Sequence, residues 1–476
     1  MVRFIHCSVV ATILVAALSF SRLVQGLTTC NTCAACGADP DILVDADVGI
    51  AAFQYCSTIR SVTFSNNVAI VRDRGFQESA ITQITFGSGL TTIADSAFAL
   101  TDLTSVDIPN SVTALGSNAF RGSASLTQVT LGEGLTSIGA NAFLGTGLTS
   151  IVIPDSVTSM SVEVFRDCSS LTHVTLGTGL TSISNGAFQG TGLTSVAIPD
   201  SVGIIGISAF ENCAALTQIT FGNGLYQIGG RAFMGSGLIS VLIPDSVSTL
   251  FSDAFRDCAA LAEVTLGNGL TSIPANSFWG TGLTSVVIPN GVATIGANSF
   301  YQCPNLERVT FGTGLTLIGD SSFSGGKLTA VAIPDNVVTV HDDAFSNNQI
   351  DCVEWKDYVG NESRVFSGNP LSGCPPTEEP TTNPTSPPSV APSAALSAAP
   401  SAALPATPNS KSGDAITDGE IAGVVIGSVV FLGLLVVAVF LAVHAKHSLD
   451  AQNASSNPRV VQYEQVQRAS VELSTV

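Results

Sequence analysis

Positive charge is scarce in this 476-residue sequence: 17 lysines and arginines stand against 36 aspartates and glutamates, a formal net charge of −19. Neutralising a phosphate backbone requires clustered Lys and Arg, so a nucleic-acid partner is excluded. Histidine is nearly as rare; of five in the chain, only His173 and His341 lie away from the two ends. No HExxH, nucleophile elbow, Walker loop or dinucleotide fingerprint is present, which leaves no residues to name as catalytic, metal-ligating or cofactor-binding. The aspartates that recur, Asp155, Asp200 and Asp245, sit in Pro-Asp-Ser turns where Asp accepts local backbone hydrogen bonds. Spaced 45 residues apart, they cannot gather the six or more oxygens of a calcium site.

Long apolar runs are confined to the two ends. Residues 1–26 carry Arg3, an apolar stretch and the small Val24 and Gly26, the pattern of a secretory leader. Residues 421–443 contain no charge over 23 positions, long enough as a helix to span a bilayer at about 1.5 Å per residue. Acidic residues precede this run and His444, Lys446 and His447 follow it, which predicts a single-pass type I protein of the plasma membrane with its N-terminus outside. Residues 375–420, rich in Pro, Ser, Thr and Ala, read as a disordered stalk, and 444–476 as a cytoplasmic tail.

Between these ends the sequence repeats. Phe98, Phe120, Phe143, Phe165, Phe188, Phe210 and Phe233 follow one another at intervals of 22 or 23 residues, and the series extends from Phe76 to Phe345. The unit is a 45-residue pair: Ile-Pro-Asp/Asn at Ile108, Ile153, Ile198, Ile243, Ile288 and Ile333 alternates with Gly-x-Gly-Leu at Gly87, Gly132, Gly177, Gly222, Gly267 and Gly312. In one unit Leu193, Val196 and Ile198 alternate inward along a short strand that Pro199 ends. Val202, Ile205, Ala209 and Phe210 then fall three to four apart, which suits a helical or 3₁₀ return. A single coil cannot bury its own apolar side, so coils must stack; about fourteen over residues 59–366 give a parallel sheet roughly 65 Å long.

AFENCAALTQITFGNGLYQI (209–228) and AFRDCAALAEVTLGNGLTSI (254–273) resemble the BspA-like leucine-rich-repeat family nearly position for position. The resemblance implies an α/β-type solenoid, a right-handed leucine-rich-repeat superhelix with one parallel β-sheet, here joined to a single transmembrane helix. It also implies surface exposure and a binding role without naming a ligand.

Of 11 cysteines, Cys168, Cys213, Cys258 and Cys303 recur every 45 residues. Two coils apart, at about 9.6 Å, they are too distant to pair and read as buried small hydrophobes. Cys30, Cys33, Cys36 and Cys56 fall in an N-terminal cap (27–58) and Cys374 closes a C-terminal one (367–374), with Cys352 just before it. In a secreted chain these six read as disulfide candidates, Cys352 with Cys374 first; the N-terminal connectivity stays open. Asn361 heads an N-glycosylation sequon. Gly423 and Gly427 form a GxxxG that suits a homodimer contact. In the tail, Tyr463 to Val466 resembles a sorting signal, and Ser474 with the terminal Val476 a ligand for a PDZ-type cytoplasmic adaptor.

Strand alternation sends two columns of each repeat to solvent. One runs Ser105, Gln128, Ser150, His173, Ser195, Gln218, Ser240, Glu263, Ser285, Arg308; the other runs Asp107, Thr130, Val152, Thr175, Ala197, Thr220, Leu242, Thr265, Val287, Thr310. Most members are small, and the departures Asp107, His173, Leu242, Glu263 and Arg308 are the candidate ligand contacts. The function expected is non-enzymatic recognition of an extracellular protein or glycan, in adhesion. Alternatives are a receptor signalling or trafficking through its tail, and an ice- or polymer-binding Thr ladder built on Thr85, Thr130, Thr175, Thr220, Thr265 and Thr310.

Overall fold

The structure, a computed structural model, describes residues 28–29, 32–37, 39–354 and 362–371. Each coil has three sides. The front side is a short strand, usually of three residues, paired in parallel and in register with the next coil, as Ser105–Asp107 pairs with Gln128–Thr130 and Ser285–Val287 with Arg308–Thr310. These strands run from Thr28–Thr29 to Cys352–Glu354, the first four paired together and the rest two by two. The second side is a two-residue strand, repeated from Ile70–Val71 to Thr339–Val340 and paired in groups of five, four and four. The third side turns at the phenylalanine.

The fold class expected from the sequence is corrected here. The chain is a parallel β-solenoid of about fourteen turns, not an α/β-type one. Among the described residues α-helix is confined to Cys33–Cys36 and Glu362–Val365, and strands pair on two sides of the coil, not in one sheet. The outer return is not helical because the residues two before and two after the phenylalanine adopt left-handed backbone, as at Asn118 and Gly122 around Phe120 or Asp253 and Asp257 around Phe255. A residue at positive φ interrupts any right-handed helix, and Asn, Asp, Ser and Gly tolerate that conformation best. Backbone groups on this side are satisfied in two ways. The N–H groups of Asn118, Phe120 and Gly122 reach the next coil at Ala140, Ala142 and Leu144, while those of Arg121 and Ser123 turn back to Asn118 and Phe120. The transmembrane helix expected at 421–443 lies outside the described residues; no helix among those described is long and apolar enough to cross a membrane, and that element is withdrawn from the fold.

The interior is one continuous cluster. Its axis is a column of phenylalanines from Phe53 to Phe366, each ring stacked nearly flat on the next; around Phe210 the centroids are 5.3 and 5.4 Å apart with interplanar angles of 8° and 3°. From Phe76 to Phe300 a buried Ser, Thr or Cys sits three positions after each ring. Thr146 Oγ1 and Cys168 Sγ both donate to the Phe143 carbonyl, at 2.9 and 3.0 Å, and Cys213, Cys258 and Cys303 repeat the contact. The four column cysteines are free, and besides filling space they close hydrogen bonds that turn geometry leaves open.

Coils are also tied at the strand exits. Asp155 Oδ1 accepts the Thr178 N–H at 2.7 Å, Asp200 that of Asn223 at 2.7 Å and Asp245 that of Asn268 at 2.7 Å. These carboxylates therefore serve the neighbouring coil, 23 residues on, and not their own turn. The donors lie inside Gly-x-Gly turns that press against the preceding coil; a Cβ at Gly134 would run into the Asn110 carbonyl, so glycine is required.

At the N-terminal end Cys33 is bonded to Cys56, and Phe53 begins the ring column. Cys352 is also disulfide-bonded. The side chains of Cys30, Cys36 and Cys374 lie outside the described residues, as do Asn361, Gly423, Gly427, Tyr463, Val466, Ser474 and Val476.

Candidate functional site

The front strands present their outer residues because the middle residue of three turns inward: Val106, Val241 and Val286 are buried, Val129, Val174 and Val264 are half-buried, and the neighbours on either side are exposed. Asp107, His173, Leu242, Glu263 and Arg308 all sit on this exposed surface. They do not form one patch. Leu242 and Glu263 lie on adjacent strands, with Ser240 directly opposite Glu263. Arg308 is two coils further along, and Asp107 and His173 are separated from each other, and His173 from Leu242, by three coils. His173 Nδ1 shares a 2.8 Å hydrogen bond with Thr172 Oγ1.

Two depressions shape this face. The first, about 670 Å³, surrounds Leu242 with Thr220, Pro244, Asp245, Thr265 and Asn268. Its rim is fixed by Asp245, whose Oδ1 accepts both the backbone and the side-chain N–H of Asn268, at 2.7 and 3.1 Å. The second, about 450 Å³, contains Arg308. Leu242 is 64% exposed, and Val152 and Val287 in its column are each 63% exposed. These are large apolar groups left in water beside a core that is otherwise closed.

The Thr ladder at Thr85, Thr130, Thr175, Thr220, Thr265 and Thr310 occupies one exposed column, and every second place in it is taken by Asp107, Val152, Ala197, Leu242 or Val287. A row unbroken over seven successive coils lies one residue before the strands. There, Thr82, Thr104, Thr127, Thr149, Thr172, Thr194 and Thr217 each donate Oγ1 to a carbonyl of the preceding coil, at 3.2 to 3.5 Å. These hydroxyls brace the ladder.

The sequence reading missed two surface features on other sides. One is an aromatic cluster on the phenylalanine side, where the Arg256 guanidinium lies 4.4 Å over Trp279 and Trp279 meets Tyr301 edge-on at 4.8 Å. Arg256 also pairs with Asp253 and Asp257 at 3.2 and 3.3 Å. The other is a groove of about 440 Å³ on the second side, walled by Ile207 and Phe251 over Gly229 and Gly230. The signal in both cases is a bulky residue in a repeat column whose other members are mostly small or polar.

The sequence matches the BspA type leucine rich repeat region in six copies, over residues 46–172, 136–261 and 230–351, more than half of the chain. The chain belongs to this family. Three solved structures are similar to this BspA-type chain. A leucine-rich repeat protein from Bacteroides ovatus is 24% identical, with 62% of this chain and 87% of that one covered and a TM-score of 0.43. The pneumococcal vaccine antigen PcpA is 21% identical over 65% of this chain and 80% of its own, with a TM-score of 0.40. A leucine rich cell surface protein from Faecalibacterium prausnitzii is 29% identical over 58% and 84%, with a TM-score of 0.33. No curated protein matches the BspA-type sequence.

Proposed function

We propose that this BspA-type protein recognises an extracellular protein or glycan without chemistry, through its strand-lined face, and works in adhesion. The observation that carries this reading is Leu242. A leucine exposed to 64% on a rigid strand, at the centre of a 670 Å³ depression whose rim is hydrogen-bonded in place, gives a partner an apolar anchor that needs no reordering to dock. Glu263 on the next strand and the small Ser and Thr residues around it supply a polar border, the usual anatomy of a recognition patch. Family membership supports the same class of role, since repeat solenoids of this kind serve as binding scaffolds. In this reading residues 1–26 are removed on export and 375–420 hold the solenoid away from the surface that displays it.

The test is adhesion of protein-coated beads to cell-matrix and glycan surfaces. Leu242→Asp is expected to reduce bead retention about tenfold or more, the loss typical of a central anchor, with the thermal melt unchanged. Full retention by this variant sinks the assignment of the strand face.

A further inference from the structure

We propose that the depression around Arg308 binds the carboxylate of an acidic saccharide. The proposal rests on the strand face being the recognition surface and adds the class of ligand taken at its C-terminal end. Thr284, Ser285, Glu307, Arg308, Lys327 and Thr329 line this depression of about 450 Å³, and Gln349 closes its far side.

The charge pattern is the first argument. The chain carries −19, and Arg166, Arg256 and Arg364 are each held by an aspartate or glutamate within 3.5 Å. Arg308 and Lys327 have no ion-pair partner among the described residues, as is also true of Arg60, Arg72, Arg74, Arg121 and Arg231, but these two cations line one depression together. They come from adjacent coils, joined where the Lys327 N–H donates to the Leu306 carbonyl at 2.9 Å. Lys327 breaks its repeat column, for its place is taken by Gly282, Gly237 and Gly192 in the equivalent coils, while Arg308 puts a cation where those coils carry Glu263, Gln218 and His173. Lys327 precedes the strand Ala330–Ala332 by three residues and shares the depression with Arg308, and two like charges lining one depression repel, so the fold gains nothing from them. With one carboxylate, Glu307, in the same depression, the lining keeps one uncompensated positive charge and suits one anionic group.

The rest of the lining selects the kind of anion. A guanidinium fork matches a carboxylate through two parallel hydrogen bonds, and an ammonium adds a mobile point charge. Around them stand hydroxyls and an amide, with no aromatic or large aliphatic wall to hold a peptide side chain. That surface fits a hydroxyl-bearing ring carrying an acid, in a volume within the range of small-ligand sites.

The test is calorimetric titration of the full-length protein with sialyllactose and with galacturonate trimer, each beside its neutral counterpart, lactose and the methyl-esterified trimer. At least one acidic sugar is expected to bind about tenfold or more tightly than its neutral form, with affinity falling as salt rises. Arg308→Ala and Lys327→Ala are each expected to weaken it about tenfold while Arg308→Lys keeps part of the affinity, and neither side chain is buried, so the melt stays in place. Equal binding of acid and neutral sugar, indifference to both alanine variants, or preference for a glutamate-rich peptide or a sulfated sugar overturns the proposal. If no sugar binds while Leu242→Asp still abolishes bead adhesion, the acidic-saccharide inference falls and the strand-face reading survives.

Discussion

Phe210 sits mid-column, fully buried, with Phe188 stacked on one face at 5.3 Å and Phe233 on the other at 5.4 Å. Replacing it with alanine deletes a ring that the rigid coils above and below cannot collapse to replace. Such a truncation costs about 3–5 kcal/mol, and the two lost stacks account for roughly 0.5–1.5 kcal/mol each within it. Phe366 at the column's end stacks only on Phe345 among the described residues, so Phe366→Ala forfeits one stack and is expected to cost roughly 2 kcal/mol. Solenoid stability is close to a sum of coil and nearest-neighbour terms, so the central lesion also divides the array into two blocks that lose their coupling. Urea unfolding followed by far-ultraviolet circular dichroism is expected to show an earlier and broader transition for Phe210→Ala, and only an earlier onset for Phe366→Ala. A cost below about 1 kcal/mol at Phe210, or equal costs at the two sites, would refute the view that the ring column couples the coils.

Three further outcomes follow from the same geometry. Burial pushes the thiols of Cys258 and Cys303 up to about 11 and those of Cys168 and Cys213 upward as well, so all four are expected to resist a thiol-disulfide reagent in the native protein and to react on unfolding; rapid native labelling at any of them contradicts the packing. Asn276 has φ of 59°, so Asn276→Gly is expected to be nearly neutral and Asn276→Ala to cost about 1 kcal/mol in thermal melts, an order that reverses if the turn is an ordinary helical one. The Thr178 N–H and hydroxyl hold the Asp155 carboxyl below its ordinary value of 3.8, so its contribution is complete above that value and is lost as pH falls through the lower folded one. Asp155→Asn keeps the acceptor without the charge and is expected to be less sensitive than the parent to acid below about pH 4, which parallel melts from neutral to acid pH check.

The period, the phenylalanine column and the outward columns of the strands were legible in the sequence because all three rest on strict residue spacing. The outer return was not. Val202, Ile205, Ala209 and Phe210 have helical spacing, yet Ser208 and Asn212 on either side of the ring are left-handed. The signal that overrides the spacing is the excess of Asn, Asp, Ser and Gly two places before and after most of the phenylalanines, a backbone preference that apolar periodicity does not register. The column cysteines were placed inside correctly by spacing, but their donation to phenylalanine carbonyls depends on which turn carbonyls remain open. Likewise Asp155, Asp200 and Asp245 looked like local turn residues, since nothing in one repeat says that the acceptor faces the next. The depressions around Leu242 and Arg308 arise from neighbouring coils and become visible only when side chains 20 or more positions apart are set side by side.

The Asp/Asn tie at each strand exit also constrains how such a gene can grow. A carboxylate or amide after proline in one coil holds a Gly-x-Gly turn in the next, as Asp200 holds Asn223. Duplicating one coil would set two proline coils or two glycine coils together, leaving a tie without its receiver or a tight turn without its clasp. Duplicating the 45-residue doublet repeats every contact unchanged. Length variants of this protein should therefore differ by doublets, each adding two strands of docking surface without disturbing those already there.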